Sequence, residues 1–105
     1  MIAPEAGRQR AEVWLFRARI FKSRGLAAKA VEAGHVRIER PGSDPARLSR
    51  ASAPVRPGDR LVIRRGETLL RLEVGGMGER RGPASEAQGL YALLAADGPR
   101  VQGRD

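Results

Sequence analysis

Arg17-Ala-Arg-Ile-Phe-Lys-Ser-Arg-Gly-Leu-Ala-Ala-Lys-Ala-Val-Glu-Ala-Gly-His-Val-Arg37 is the stretch on which the fold turns. Ser23 suits an N-cap, because its hydroxyl can accept from a free backbone N–H of the first helical turn. Leu26, Ala27, Ala30 and Val31 follow at helical spacing, and Gly34 stands where a left-handed residue closes a helix. The spacing predicts a helix over 24–33. Upstream, Val13, Trp14, Phe16, Ala18 and Phe21 make the wide apolar face of a first helix over 12–21. Trp14 and Phe21 read as core rather than as base-stacking platforms, since a small domain needs large buried side chains. The alanines of the second helix let the two helices approach closely. Downstream, Val36 and Ile38 alternate with polar neighbours, as in a half-buried strand.

The remainder of the chain reads as sheet closed by a helix. Arg40-Pro-Gly-Ser-Asp-Pro45 is a turn, 46–49 a returning strand with Leu48 inward, and Pro54-Val-Arg-Pro-Gly-Asp59 a second turn. Arg60–Arg64 and Thr68–Val74 are strands around Gly66-Glu67, and Gly75-Gly-Met-Gly78 ends the sheet. Ser85 is expected to cap a last helix over 86–95, with Ala87, Leu90, Tyr91 and Leu94 on one face. The fold class is α+β: two N-terminal helices, helix-turn-helix-like, packed on a small mostly antiparallel sheet, with a short C-terminal helix. The expected division is a flexible lead-in at 1–9, the helical pair and first strands at 10–64, a sheet extension and last helix at 65–96, and a flexible tail at 97–105.

Composition restricts the chemistry. The 105 residues amount to one domain with a modest core. The absence of cysteine excludes disulfides, thiolate metal sites and a cysteine nucleophile. With a single histidine, His35, neither a histidine metal site nor a Ser-His-Asp triad is expected, and no cofactor is implied. Gly75–Gly78 has no Lys-Ser/Thr after it and is not a nucleotide-binding loop. Glu12, Asp59 and Glu73 have no paired-carboxylate spacing, and Asp59 after Gly58 reads as a turn residue. No apolar run approaches the ~20 residues of a membrane span, and the N-terminus lacks a signal-peptide pattern, so the expected compartment is the cytoplasm.

Charge gives the direction. Twenty Lys and Arg face twelve Asp and Glu, a net of +8, which points to a polyanionic partner. The excess is uneven. Residues 1–38 hold eight cations (Arg8, Arg10, Arg17, Arg19, Lys22, Arg24, Lys29, Arg37) against three anions (Glu5, Glu12, Glu32), whereas 79–105 are balanced. Lys22, Ser23, Arg24 and the second helix's N-terminus form a plausible phosphate cradle, since that end carries free N–H groups and partial positive charge. Arg10 and Arg17, seven apart, share a helix face. Arg19 lies ~200° from Arg17, so one of the two is left to pair with an acid such as Glu12. Arg37 points away from the face of Val36 and Ile38. His35 is open to a structural role or to contact with the polyanion. Arg80-Arg81 reads equally as a phosphate site or as a loop paired with Glu79 and Glu86.

Four pieces of sequence then resemble a known family. Arg10-Ala-Glu-Val-Trp-Leu15, Lys22-Ser-Arg-Gly-Leu-Ala27, Gly34-His-Val-Arg-Ile38 and Val55-Arg-Pro-Gly-Asp59 occur in the order found in ribosomal protein S-four type RNA-binding domains. Glu79-Arg-Arg-Gly-Pro-Ala-Ser-Glu-Ala87 with Leu90-Tyr91, and Trp14-Leu15 before Arg17-Ala-Arg19, are similar to the heat-shock protein 15 family. The resemblance implies a small stand-alone bacterial protein that binds free large ribosomal subunits still holding a nascent chain on transfer RNA. The sequence departs from the pattern in three places. Glu12 stands for the usual Asp, a longer Glu39–Pro45 turn replaces an Asn-Gly turn, and the family's strongly basic C-terminal extension is not expected here.

The expected interface is Arg10, Arg17, Arg19, Lys22, Ser23, Arg24, Lys29, His35 and Arg37, acting on ribosomal RNA or the large subunit. No catalytic residue, metal, membrane or small-molecule substrate is implied. Messenger RNA, transfer RNA, DNA and an acidic protein remain as alternative partners.

Overall fold

The computed structural model describes residues 7–40 and 42–97; the expected lead-in up to residue 6 and the tail from residue 98 lie outside the described residues. The elements are β1 (Gln9–Arg10), α1 (Ala11–Arg17), α2 (Arg24–Glu32), β2 (Val36–Glu39), β3 (Ala46–Arg47), β4 (Pro54–Val55), β5 (Arg60–Arg65), β6 (Thr68–Val74), α3 (Ala84–Gln88) and β7 (Tyr91–Asp97). The α+β class holds. One sheet is antiparallel throughout, in the order β3-β2-β5-β6-β7, and β1 pairs with β4 in a separate two-stranded ribbon.

The first two helices, α1 and α2, end by the same device. Around α2, the Gly34 N–H donates to the Val31 carbonyl and the His35 N–H to the Ala30 carbonyl, with Gly34 at φ 85. This is the Schellman closure expected from Gly34. At α1 the same two bonds run from Arg19 to Phe16 and from Ile20 to Leu15, and Arg19 itself takes φ 62. The first helix therefore stops at Arg17 and does not reach the expected Phe21. The sequence offers no glycine to mark this stop. A non-glycine in that region costs about 1–2 kcal/mol, and tertiary contacts hold it there. The Arg19 Nε donates to the Gly82 carbonyl at 2.6 Å, and Ile20 is buried beside it.

The core lies between the helices and one sheet face. Trp14, Leu15, Val31, Val36, Val55, Leu61, Ile63, Leu72 and Val74 are fully buried, and Phe21 packs against them partly exposed. The alternation in β5 puts Leu61 and Ile63 inward and Arg60 and Arg64 outward. Leu48 is inward as expected, although β3 is only two residues long.

The C-terminal segment corrects the sequence reading. The helix expected over 86–95 is the short α3, and Ser85 lies inside it; the N-cap position is Pro83, with no side-chain cap. Gly89 and Leu90 turn the chain, and Tyr91–Asp97 adds to the edge of β6 as a strand. Leu90–Ala96 is a good helix former by propensity, but pairing with β6 satisfies its backbone and lets Tyr91 meet Trp14 edge-on at 6.3 Å between ring centroids.

A strap joins this segment to α1. Gly76 accepts from Trp14 Nε1 at 2.8 Å, and Gly78 accepts from both Gln9 Nε2 at 2.8 Å and Arg17 Nη1 at 2.7 Å. A Cβ on Gly78 would come within 2.9 Å of Leu90 Cδ1 and 3.2 Å of Arg17 Cβ, so the close approach needs glycine there. Arg81 completes the strap by stacking over the Phe16 ring at 5.1 Å.

Candidate nucleic-acid interface

The structure sorts the nine sequence-predicted residues by what they touch. Ser23 is the N-cap of α2 and accepts from the Leu26 N–H at 3.1 Å. Arg10 and Arg24 converge on one oxygen of Glu12: Arg10 Nη2 approaches to 2.6 Å and Arg24 Nη2 to 3.4 Å. Glu12 is mostly buried, so this acid clamps the starts of both helices. Arg17 and Arg19 turn to the carbonyls of the strap, and Arg10 and Arg17 do not converge. Lys22, Lys29, His35 and Arg37 are exposed and have no side-chain hydrogen bond or ion pair among the described residues.

The distinction matters for binding. A guanidinium already donating to a carbonyl keeps further donors but is held in place by the fold. An unpartnered cation pays no internal bond to meet a phosphate. Lys22 precedes α2, Lys29 lies on its exposed side and Arg37 follows its end, so these free cations track the length of α2 onto β2, with the His35 side chain beside them. Elsewhere, Arg80 pairs with Glu86 at 2.9 Å, which is the loop-pairing alternative for that residue.

Two arginines outside the predicted set belong to this surface. Arg47 lies directly opposite Arg37 in the β2–β3 register, and the Arg64 N–H donates to the His35 carbonyl at 2.8 Å. The alternation of Leu61 and Ile63 was a signal that Arg64 faces outward. The returning strand with Leu48 inward turns Arg47 outward by the same alternation, but that it meets Arg37 is a matter of register that the sequence reading left open. Arg47 also lies over Gly34, where a Cβ would meet its Cζ and Nε at 2.9 Å. Gly34→Ala is expected to destabilise the fold by about 1–2 kcal/mol, mainly through the left-handed backbone, and to displace Arg47. Urea unfolding of the variant measures the first effect.

No group of three or more His, Cys, Asp or Glu able to hold a metal ion occurs among the described residues. No helix among them is long and apolar enough to cross a membrane.

No family model matches the chain. Heat shock protein 15 of Escherichia coli strain K12 is 34% identical over 86 residues, which cover 82% of this chain and 60% of that protein, and the same protein of Escherichia coli O157:H7 gives the same figures. The chain thus spans about three-fifths of the length of these relatives. A solved structure, trimeric heat shock protein 15 of Vibrio cholerae, is 30% identical with a TM-score of 0.73, covering 84% of this chain and 83% of that one. The chain belongs to the heat shock protein 15 family. Membership gives the expected motifs a common frame. Within this heat shock protein 15 fold, Lys22–Ala27 opens α2, Gly34–Ile38 closes it and starts the sheet, and Val55–Asp59 leads into β5. Glu12, the departure in the first motif, still makes an ionic contact with Arg24 of the second.

Proposed function

We propose that this protein is a non-enzymatic, cytoplasmic RNA-binding protein that docks on structured ribosomal RNA of the large subunit and acts in stress-related rescue of stalled subunits. The observation that carries the reading is the run of unpartnered cations along α2 and onto β2, in a chain of the heat shock protein 15 family. Lys22 and Lys29 supply sequence-independent attraction to phosphates, and Arg37 fixes register. Structured RNA suits this surface, because A-form helices are recognised largely by shape and by backbone contacts. The described residues offer no aromatic platform on that face, since Trp14 is buried and Phe21 packs on the core.

Cosedimentation with separated small subunits, large subunits and intact ribosomes tests the reading. Selective pelleting with large subunits is expected. Lys22→Ala/Lys29→Ala is expected to lower the slope of log affinity against log salt by about 1–2, at roughly 0.7–0.9 per lost phosphate contact. Equal pelleting with both subunits would reduce the proposal to a general RNA binder. Binding that survives ribonuclease would point instead to a protein partner.

A further inference from the structure

The outer face of the five-stranded sheet carries a row of cations that lacks its counter-charge. Arg37 lies directly opposite Arg47 on β3 and opposite Val62 on β5. Val36 and Ile38 are buried, so Arg37 and the residues in register with it point away from the helices. Arg64 is on the same face, two residues along β5 from Val62. Diagonal neighbours of this kind sit about 7–8 Å apart. An open recess beside Arg37 and Arg64 is lined by those two with Gly34, His35, Val62 and Leu69, and Arg47 reaches the same neighbourhood through its guanidinium over Gly34.

Like charges placed directly opposite one another destabilise an antiparallel pair. Elsewhere on this face the sheet supplies acids. Arg71 lies 3.8 Å from Glu39 and Arg60 lies 3.5 Å from Glu73. For Arg37, Arg47 and Arg64, no carboxylate lies within 4.0 Å among the described residues. The Arg37–Arg47 opposition also sits on the shortest strand of the sheet, where only two residue pairs hold β3. A conflict of this sort, against an otherwise consistent fold, is characteristic of a functional surface.

We propose that Arg37, Arg47 and Arg64, with His35 at the rim, form a second site for backbone phosphates of RNA, on the sheet face and at the far end of α2 from Lys22. The site rests on the RNA-binding reading and extends it by two residues, Arg47 and Arg64. A guanidinium fork holds a phosphate bidentately. An incoming phosphodiester supplies the charge the row lacks, so an arrangement that is unfavourable in the free protein becomes favourable in the complex. The protein would then grip RNA at two places separated by the length of α2.

Salt-dependent binding of the full chain to a structured fragment of large-subunit ribosomal RNA, and to duplex DNA, tests this. Wild type is compared with Arg47→Gln/Arg64→Gln and with Lys22→Ala/Lys29→Ala, and thermal melts are run in parallel. The sheet variant is expected to melt at or above the wild-type temperature, because the like-charge opposition is relieved. Its salt slope on RNA is expected to fall by about 1–2. A purely structural role for Arg47 and Arg64 would give a lower melting temperature with an unchanged slope, and would overturn the proposal. An unchanged slope in the sheet variant beside a reduced slope in the helix variant would overturn this site and leave the RNA reading intact. Failure of the wild type to bind RNA would overturn both. Slope loss on RNA alone assigns the phosphates to RNA; equal loss on DNA supports a site for the phosphodiester backbone of either nucleic acid; loss on DNA alone overturns the assignment to RNA.

Discussion

Trp14→Ala is expected to destabilise the protein by about 3–5 kcal/mol, the range for removing a fully buried aromatic side chain. Trp14 is the single tryptophan and has no exposed surface. It joins three parts of the molecule. Its ring fills the space between α1 and the sheet, its edge meets Tyr91 on β7, and its Nε1–H donates to the Gly76 carbonyl at 2.8 Å. Truncation opens a cavity and leaves that carbonyl without its partner. A domain of this size has a total stability on the order of 5–15 kcal/mol, so the loss is a large part of the whole. Trp14→Phe keeps a ring against Tyr91 and removes the hydrogen bond, and is expected to cost about 1–3 kcal/mol. Urea unfolding followed by far-ultraviolet circular dichroism measures both, since either variant abolishes the tryptophan fluorescence. A loss below 1 kcal/mol for Trp14→Ala would show that the strap and β7 hold without it.

Asp59→Ala is the second large effect, expected at about 2–4 kcal/mol. Its carboxylate is nearly fully buried and accepts three bonds: from Arg40 Nε at 3.0 Å, from Arg40 Nη2 at 3.2 Å and from the Arg56 N–H at 2.9 Å. Arg40 Nη2 also donates to the Pro54 carbonyl at 2.9 Å, so this one arginine ties the end of β2 to β4 and to the turn before β5. Breaking a fully buried pair by removing one partner costs about 3–5 kcal/mol. The Arg40 side chain is 36% exposed, and water screens the charge left behind, which lowers the figure. A double-mutant cycle with Arg40→Ala separates the pair from the Arg56 N–H bond. A coupling energy near zero would show that Asp59 acts only on the turn.

Asp59 also shows how a sequence reading can be right and incomplete. The Pro-Gly-Asp spelling marks a turn, and the turn is there, with Gly58 at φ 94. Nothing in the local sequence indicates that Arg40, nineteen residues earlier, closes it. The interface follows the same rule. Basic residues cluster visibly between Arg17 and Arg37, but their partners lie in the strap at 76–82 and at Glu12. Arg17 and Arg19, the most conspicuous cations of that stretch, hold carbonyls of the strap. Among the described residues, Lys22, Lys29 and Arg37 of that stretch are free cations, and so are Arg47 and Arg64, which no linear motif joins to them.

What the sequence determined by itself is local. Ser23 and Gly34 bracket α2, because a cap hydroxyl and a left-handed glycine act within one helical turn. The alternation in 36–39 and 60–65 orients those strands, because side chains switch faces at every residue. Net charge depends on composition alone, and its position along the chain on the order of residues alone. The tertiary structure decided what depends on distant partners. It stopped α1 at Arg17, because Gly82 and the core hold Arg19 and Ile20 in a turn that sequence propensity does not favour. It made Tyr91–Asp97 a strand, because the open edge of β6 offered a ladder of backbone partners, shifted once at a bulge between Arg71 and Leu72. It also set Arg47 against Arg37, because alternation turns Arg47 outward while the residue it meets depends on how the turn and the packing of Leu48 fix the register.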